Sequence, residues 1–222
     1  MRRTLWSFHP TAVRHILFLH PAPGIDAAEQ PAQLLALLAA GGLPSDWTQN
    51  WLTLDPLPAT PAPVPTGAAK TLIEALLLAT DIAVLLPAQA PALAQHAHLL
   101  AHLRAWQTLS LLDYRGWMRG KRFALIATLA PPGVADAEAL DAAVRDAQTR
   151  WQTLCTELDC EWHGPLLGQP DAQGSVLTDV AAGFAAQGFL ARSAARPLAA
   201  AQAHEARMAY LAACARACAC AR

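Results

Sequence analysis

The 222-residue chain predicts an α/β fold, a five-stranded parallel sheet with helices on both faces. Three observations carry that prediction. Short apolar runs alternate with stretches of helical periodicity along most of the chain. Two of the runs, residues 82–86 and 123–129, show no polar alternation, as strands covered on both faces require. A hydrophobic share of 54% with only 15% charged residues excludes a disordered chain and supplies the core such a sheet needs.

The first strand is predicted over 13–19, where Val13, Ile16, Leu17, Phe18 and Leu19 precede the breakers Pro21 and Gly24. A helix over 28–40 follows, with Leu34, Leu35, Leu37 and Leu38 at helical spacing and Gly41-Gly42 as its stop. Trp51, Leu52 and Leu54 mark a second strand over 51–54. Residues 56–65 are rich in proline, which fixes φ and removes donors, so they read as an extended connector. Residues 68–80 read as a helix with Leu72, Ile73, Leu76 and Leu77 on one face and Lys70/Glu74 on another. Asp81 leads into the third strand, 82–86.

A helix is expected over 90–108, with Leu93, Leu99, Leu100, Leu103 and Trp106 inward. Tyr114, Gly116, Trp117 and Gly120 then read as a polar, aromatic loop. Lys121-Arg122 introduces the fourth strand, 123–129, closed by Pro131-Pro132-Gly133. A long helix over 135–158 carries Leu140, Val144, Trp151, Leu154 and Leu158 at three-to-four spacing. A fifth strand is expected over 161–167 and a fifth helix over 175–191. This divides the chain into an extension (1–12), an α/β domain (13–196) and an Ala-rich helical tail (197–222) with too few large apolar residues to bury itself.

Several function classes are excluded or disfavoured. Sixteen Lys+Arg against 17 Asp+Glu leave a net charge of −1, which gives no electrostatic footprint for nucleic acid. The longest apolar stretch, 72–86, is cut by Glu74 and Asp81 and falls short of the roughly 20 residues a membrane span needs. The first residues lack the apolar core of a signal peptide, and five cysteines are an odd number without framework spacing. Reduced thiols in a cytoplasmic protein are the expectation. No Ser-His-Asp nucleophile elbow and no Walker loop is present.

A resemblance enters at the third and fourth strands. Ala79-Thr80-Asp81-Ile82-Ala83-Val84-Leu85-Leu86-Pro87, followed by a helix ending at Arg104, resembles the NAD(P)H-dependent FMN reductase branch of the flavodoxin-like superfamily. Gly120-Lys121-Arg122-Phe123-Ala124-Leu125-Ile126-Ala127-Thr128 is similar to that family's fourth strand. The resemblance covers about residues 13–195. It implies a flavodoxin-like three-layer sandwich with a ligand crevice where the strand order reverses. It also implies FMN as cofactor and NAD(P)H as co-substrate. Three loops would then hold the flavin: His20, Ala22 and Gly24 in the phosphate loop, Pro87, Ala88 and Gln89 against the ring, and Thr128, Leu129, Ala130 and Gly133 on its other side. Homo-oligomerisation is a further expectation from the family.

The first loop departs from the family pattern. It has no Arg, Pro21 and Pro23 offer no N–H, and Asp26 and Glu29 repel a dianion, so FMN is expected to be weak or lost. The cysteines of an iron–sulfur variant are also missing from 54–67. Two functions follow as expectations: an FMN-dependent NAD(P)H oxidoreductase reducing a quinone, flavin or similar small-molecule acceptor, or a flavodoxin-like protein that has lost flavin and acts as a binding or assembly module. In the first, no side chain need be a catalytic acid.

Other residues have structural readings. His98 and His102 have the spacing of a helical metal pair, with His96 beside them, but no acidic residue lies between, and solvent-exposed histidines on a helix are the simpler reading. Cys155 falls beside an apolar stripe and reads as buried packing, with Cys160 just beyond the helix end. Cys214 and Cys218 share a helix face at a spacing too long for an unstrained disulfide, in a tail that ends with Cys220. Tyr114 and Trp117 either pack inward or form an exposed surface for a partner or flat ligand.

Overall fold

The computed structural model describes residues 14–21, 47–54, 57, 60–61, 65–108, 114–171 and 175. Its backbone runs β1 (Arg14–Pro21), β2 (Trp47–Leu54), α1 (Gly67–Leu78), β3 (Asp81–Leu86), α2 (Ala90–Trp106), α3 (Tyr114–Met118), β4 (Arg122–Thr128), α4 (Ala137–Glu157) and β5 (Glu161–Gly168). The extension, the helix expected over 28–40, that over 175–191 and the tail lie outside the described residues, Ser175 excepted.

All five strands are parallel, in the order β2-β1-β3-β4-β5. That is the flavodoxin-like order, with its reversal between β1 and β3. Strands β3 and β4 are buried at every position, because parallel strands in the middle of the sheet meet cover on both sides. Right-handed crossovers from β2 through β5 put α1, α2 and α4 on one face of the sheet. Against them pack Leu17, Leu19, Ile82, Val84, Leu86, Phe123, Leu125 and Ala127, alternate residues of three strands. The intervening Ile16, Phe18, Ala83, Leu85, Ala124 and Ile126 are equally buried.

Large aromatic side chains lock the helices down. Trp151 of α4 stacks on Phe123 with ring centroids 5.7 Å apart and meets the edge of His96 of α2 at 6.3 Å. Trp106 ends α2 against Tyr114 at 6.2 Å. Such pairs add about 0.5–1.5 kcal/mol beyond the area they bury.

Two expectations change. β2 begins four residues early, at Trp47, and pairs with β1 over its whole length. Thr48, Gln49 and Asn50 are exposed on this edge strand, so they carry no apolar signal. The aromatic segment after α2 is partly a short helix, α3, with Tyr114, Trp117 and Met118 all buried. Edge strand β5 tolerates Pro165 and slips register against Phe123–Leu125, where Gly164 takes φ +81°.

Candidate functional site

The sheet has two polar ends of different character. At the amino end, Asp81 opens β3 and Arg122 opens β4, paired in register. Arg122 Nε lies 2.9 Å from Asp81 Oδ1, with both side chains buried. Thr80 Oγ1 donates to Asp81 Oδ2 at 2.7 Å and accepts from the His15 amide at 3.0 Å. The Thr80 amide in turn donates to the His15 carbonyl at 2.8 Å, tying β1 to β3. Lys121 Nζ donates to the carbonyls of Leu77 (2.9 Å) and Ala79, closing the C-terminal end of α1 where the helix dipole favours a cation. Burial lowers the Lys121 pKa to about 8, opposed by the nearby Cys160 and Asp81. These groups satisfy one another, and their work is structural.

At the carboxyl end, the described ends of β1, β3, β4 and β5 carry no Asp, Glu, Lys or Arg. Register pairs Leu86 with Ala127, so Pro87 and Thr128 leave neighbouring strand ends side by side. On the other flank, at the point of reversal, β1 and β3 pair from Ile16/Asp81 to Leu19/Val84. Pro21 continues on β2 alone, where the ladder to β3 has ended and its missing N–H costs nothing.

The residues expected to hold a flavin fall as follows. Pro87 and Ala88 are buried, and Gln89 is the half-buried N-cap of α2, its amide donating to the Pro87 carbonyl at 2.8 Å. Thr128 is fully buried, and its hydroxyl has no hydrogen-bond partner among the described residues. The Leu129 amide donates to the Gly168 carbonyl at 3.0 Å, and the Ala130 amide to Asp141 Oδ1 at 2.8 Å. Gly133 is exposed at φ +85°, which glycine adopts freely. His20 lies in β1, while Ala22 and Gly24 lie outside the described residues. The structure therefore brings the second and third loops together and aims the end of β1 toward them.

Two residues that hold this end were missed. Asp141 fixes the third loop from α4, and Gln169 Nε2 donates to the Ala130 carbonyl at 3.4 Å. Asp141 stands eleven residues beyond Ala130 on a helix, and no local spacing rule links them. By contrast, Asp81 and Lys121-Arg122 do carry a signal, as charges opening apolar strands.

The helix histidines are not solvent-exposed as expected. His96 and His102 are buried and His98 is half-buried. His96 Nε2 donates to the Leu85 carbonyl at 2.8 Å, which leaves Nδ1 as the bare nitrogen, and burial lowers its pKa to about 4. Both buried rings pack on tryptophan edges, His102 against Trp106 at 5.7 Å. Among the described residues no group of three or more His, Cys, Asp or Glu could hold a metal ion. None of their helices is long and apolar enough to cross a membrane.

No protein-family profile matches the chain, and no curated protein does. Solved structures match by shape. The Trp repressor binding protein from Bacillus subtilis superposes with a TM-score of 0.52 at 14% identity, covering 79% of this chain and 99% of its own. General stress protein 14 from Treponema denticola, in complex with FMN, gives 0.48 at 11% identity over 82% and 98% of the two chains. An NADPH-quinone reductase from P. pentosaceus gives 0.48 at 12% over 83% and 99%. At 14% identity the first of these likenesses establishes the fold alone.

Proposed function

We propose that the crevice at the carboxyl end of β1, β3 and β4 binds FMN, and that the protein is an NAD(P)H-dependent oxidoreductase for a quinone, flavin or similar small acceptor. One observation supports this most: residues 87–89 and 128–130, assigned to the flavin ring from sequence, leave adjacent strand ends beside the reversal of strand order. The residues present fit the ring. Ala88 and Ala130 keep the walls small, the nearby Asp141 carboxylate is held by the Ala130 amide, and the Thr128 hydroxyl has no partner among the described residues.

The flavin, when bound, supplies the two-electron chemistry between nicotinamide and acceptor. The chain supplies shape and rigidity. Amides 129 and 130 are engaged within the protein, so the third loop acts as a fixed wall, and the Thr128 hydroxyl is the polar group it offers. Phosphate binding falls to the loop after His20, whose prolines and acids remove charge-assisted hydrogen bonds of about 1.5–3 kcal/mol each. FMN is therefore expected to bind weakly and to be lost on purification. A cytoplasmic homo-oligomer belongs to the same reading.

The rival, a binding or assembly module without flavin, loses one of its supports, because Tyr114 and Trp117 are buried rather than presented to a partner. Titration of FMN fluorescence against the wild type and Pro23→Arg decides between the two. Weak, saturable binding that tightens in Pro23→Arg, with FMN-dependent NAD(P)H oxidation, is the expected result. Tight binding by the wild type would show the first loop to be intact. Binding by neither protein overturns the flavin reading in favour of the module.

A further inference from the structure

The end of α4 carries an arrangement that flavin chemistry does not use. Helix α4 stops in a paired-bond cap: the Cys160 amide donates to the Cys155 carbonyl at 2.8 Å and the Asp159 amide to the Thr156 carbonyl at 3.3 Å. Asp159 between them takes the left-handed conformation at φ +54°. This is the Schellman arrangement, in which the side chains of the third residue from the helix end and the second residue beyond it frequently come together. Those two residues are Cys155 and Cys160.

Bond lengths bound their separation. An amide-to-carbonyl hydrogen bond of 2.8 Å between the two residues holds their Cα atoms within about 6.7 Å of each other by standard backbone dimensions. Disulfides span Cα separations of about 4.4–6.8 Å. Cys155 is buried in the core and Cys160 packs against its margin, half-buried, with Sγ 3.1 Å from the Met118 carbonyl. Cys160 thus keeps partial exposure to solvent, while Cys155 has almost none.

We propose that Cys155 and Cys160 are a reversible dithiol–disulfide pair that staples the end of α4 to the start of β5. With oxidised glutathione as the oxidant, the Cys160 thiolate attacks its S–S bond, forming a mixed disulfide and releasing one glutathione thiolate. The Cys155 thiolate then attacks Sγ of Cys160, forming the intramolecular bond and releasing the second glutathione. Two protein thiols lose two electrons and two protons, and one glutathione disulfide becomes two glutathione thiols. Burial pushes the Cys160 thiol up to about 12, against the pull of Lys121, and raises Cys155 as well, so the exchange is slow at neutral pH and quickens as pH rises.

The test uses the full-length chain bearing Cys214→Ser, Cys218→Ser and Cys220→Ser, incubated with oxidised glutathione at about pH 8.5. Thiols are then blocked and the tryptic peptide 151–192, which contains both cysteines, is weighed. Loss of the mass of two hydrogens, reversed by dithiothreitol and absent when Cys160→Ser or Cys155→Val is added, is the expected result. The oxidised chain should also melt at a higher temperature than the reduced one. A glutathione adduct that persists on Cys160, or two unmodified thiols in a chain whose circular dichroism shows it folded, would overturn the proposal.

Discussion

At the amino end of β3 and β4, four polar side chains (Thr80, Asp81, Lys121 and Arg122) are buried and bonded to one another or to backbone carbonyls. At the carboxyl end of the same two strands, the chain presents Pro87, Ala88, Leu129 and Ala130, with a single buried hydroxyl at Thr128. The strands are identical; their two ends do different work. Charges at the amino end set the register of β1, β3 and β4, because a one-residue slip would strand Asp81 or Arg122 in the core. The carboxyl end of β3 and β4 spends no charged side chain of its own on register, and the proposed flavin site is placed there. Stability and binding should therefore respond separately to substitutions at the two ends.

The largest effect is expected at Asp81. Asp81→Ala leaves the Arg122 guanidinium buried without its carboxylate, a loss of about 3–5 kcal/mol. Urea denaturation measures it. The paired change Asp81→Leu with Arg122→Met should recover most of that loss, since a buried ion pair gains little over a packed apolar pair. A loss below about 1 kcal/mol for the single variant would show that the amino end does not hold the register.

His96 lies between the two ends and gives a pH-dependent effect. Its folded pKa of about 4 lies below the ordinary 6.5 because burial disfavours the charged ring more than the hydrogen bond to the Leu85 carbonyl favours it. Between those two values the unfolded state binds a proton that the folded state refuses, so stability falls as pH drops from about 6.5 to about 4. The full difference is about 3 kcal/mol. Denaturation at a series of pH values should show this limb in the wild type and lose it in His96→Leu. Parallel curves for the two proteins would mean that the ring takes up its proton in the folded state.

The two ends were also unequally legible. Strands β3 and β4 declare themselves by unbroken apolar runs, and α1, α2 and α4 by helical spacing, because each such signal lies within one element. What sequence missed depends on contacts between elements. His96 lies three residues after Leu93 and three before Leu99, so helical spacing already places it on the buried face, but its bond to the Leu85 carbonyl and its contact with Trp151 come from other elements. Gly116 and Gly120 suggested a loop where α3 forms, since the burial of Tyr114, Trp117 and Met118 against the core outweighs a glycine in one helical turn. The cap of α4 was hidden because Asp159, not glycine, takes the left-handed position. At the crevice the loops could be named in order, but the Asp141 bond that fixes Ala130 could not.

The smallest expected change in stability is also the sharpest probe of the crevice. The Thr128 hydroxyl is buried without a partner among the described residues, so it contributes no hydrogen bond among them. Thr128→Val keeps the branched shape and removes that group, and stability should stay within about 0.5 kcal/mol of the wild type. If the hydroxyl is a polar contact for the flavin ring, the same substitution should weaken FMN binding roughly 5- to 10-fold, the worth of one neutral hydrogen bond. Fluorescence titration and urea denaturation of one preparation read the two effects together. Lower stability with unchanged FMN affinity would place Thr128 in the fold rather than the site. Equal losses in both would abolish the separation between the two ends of the sheet.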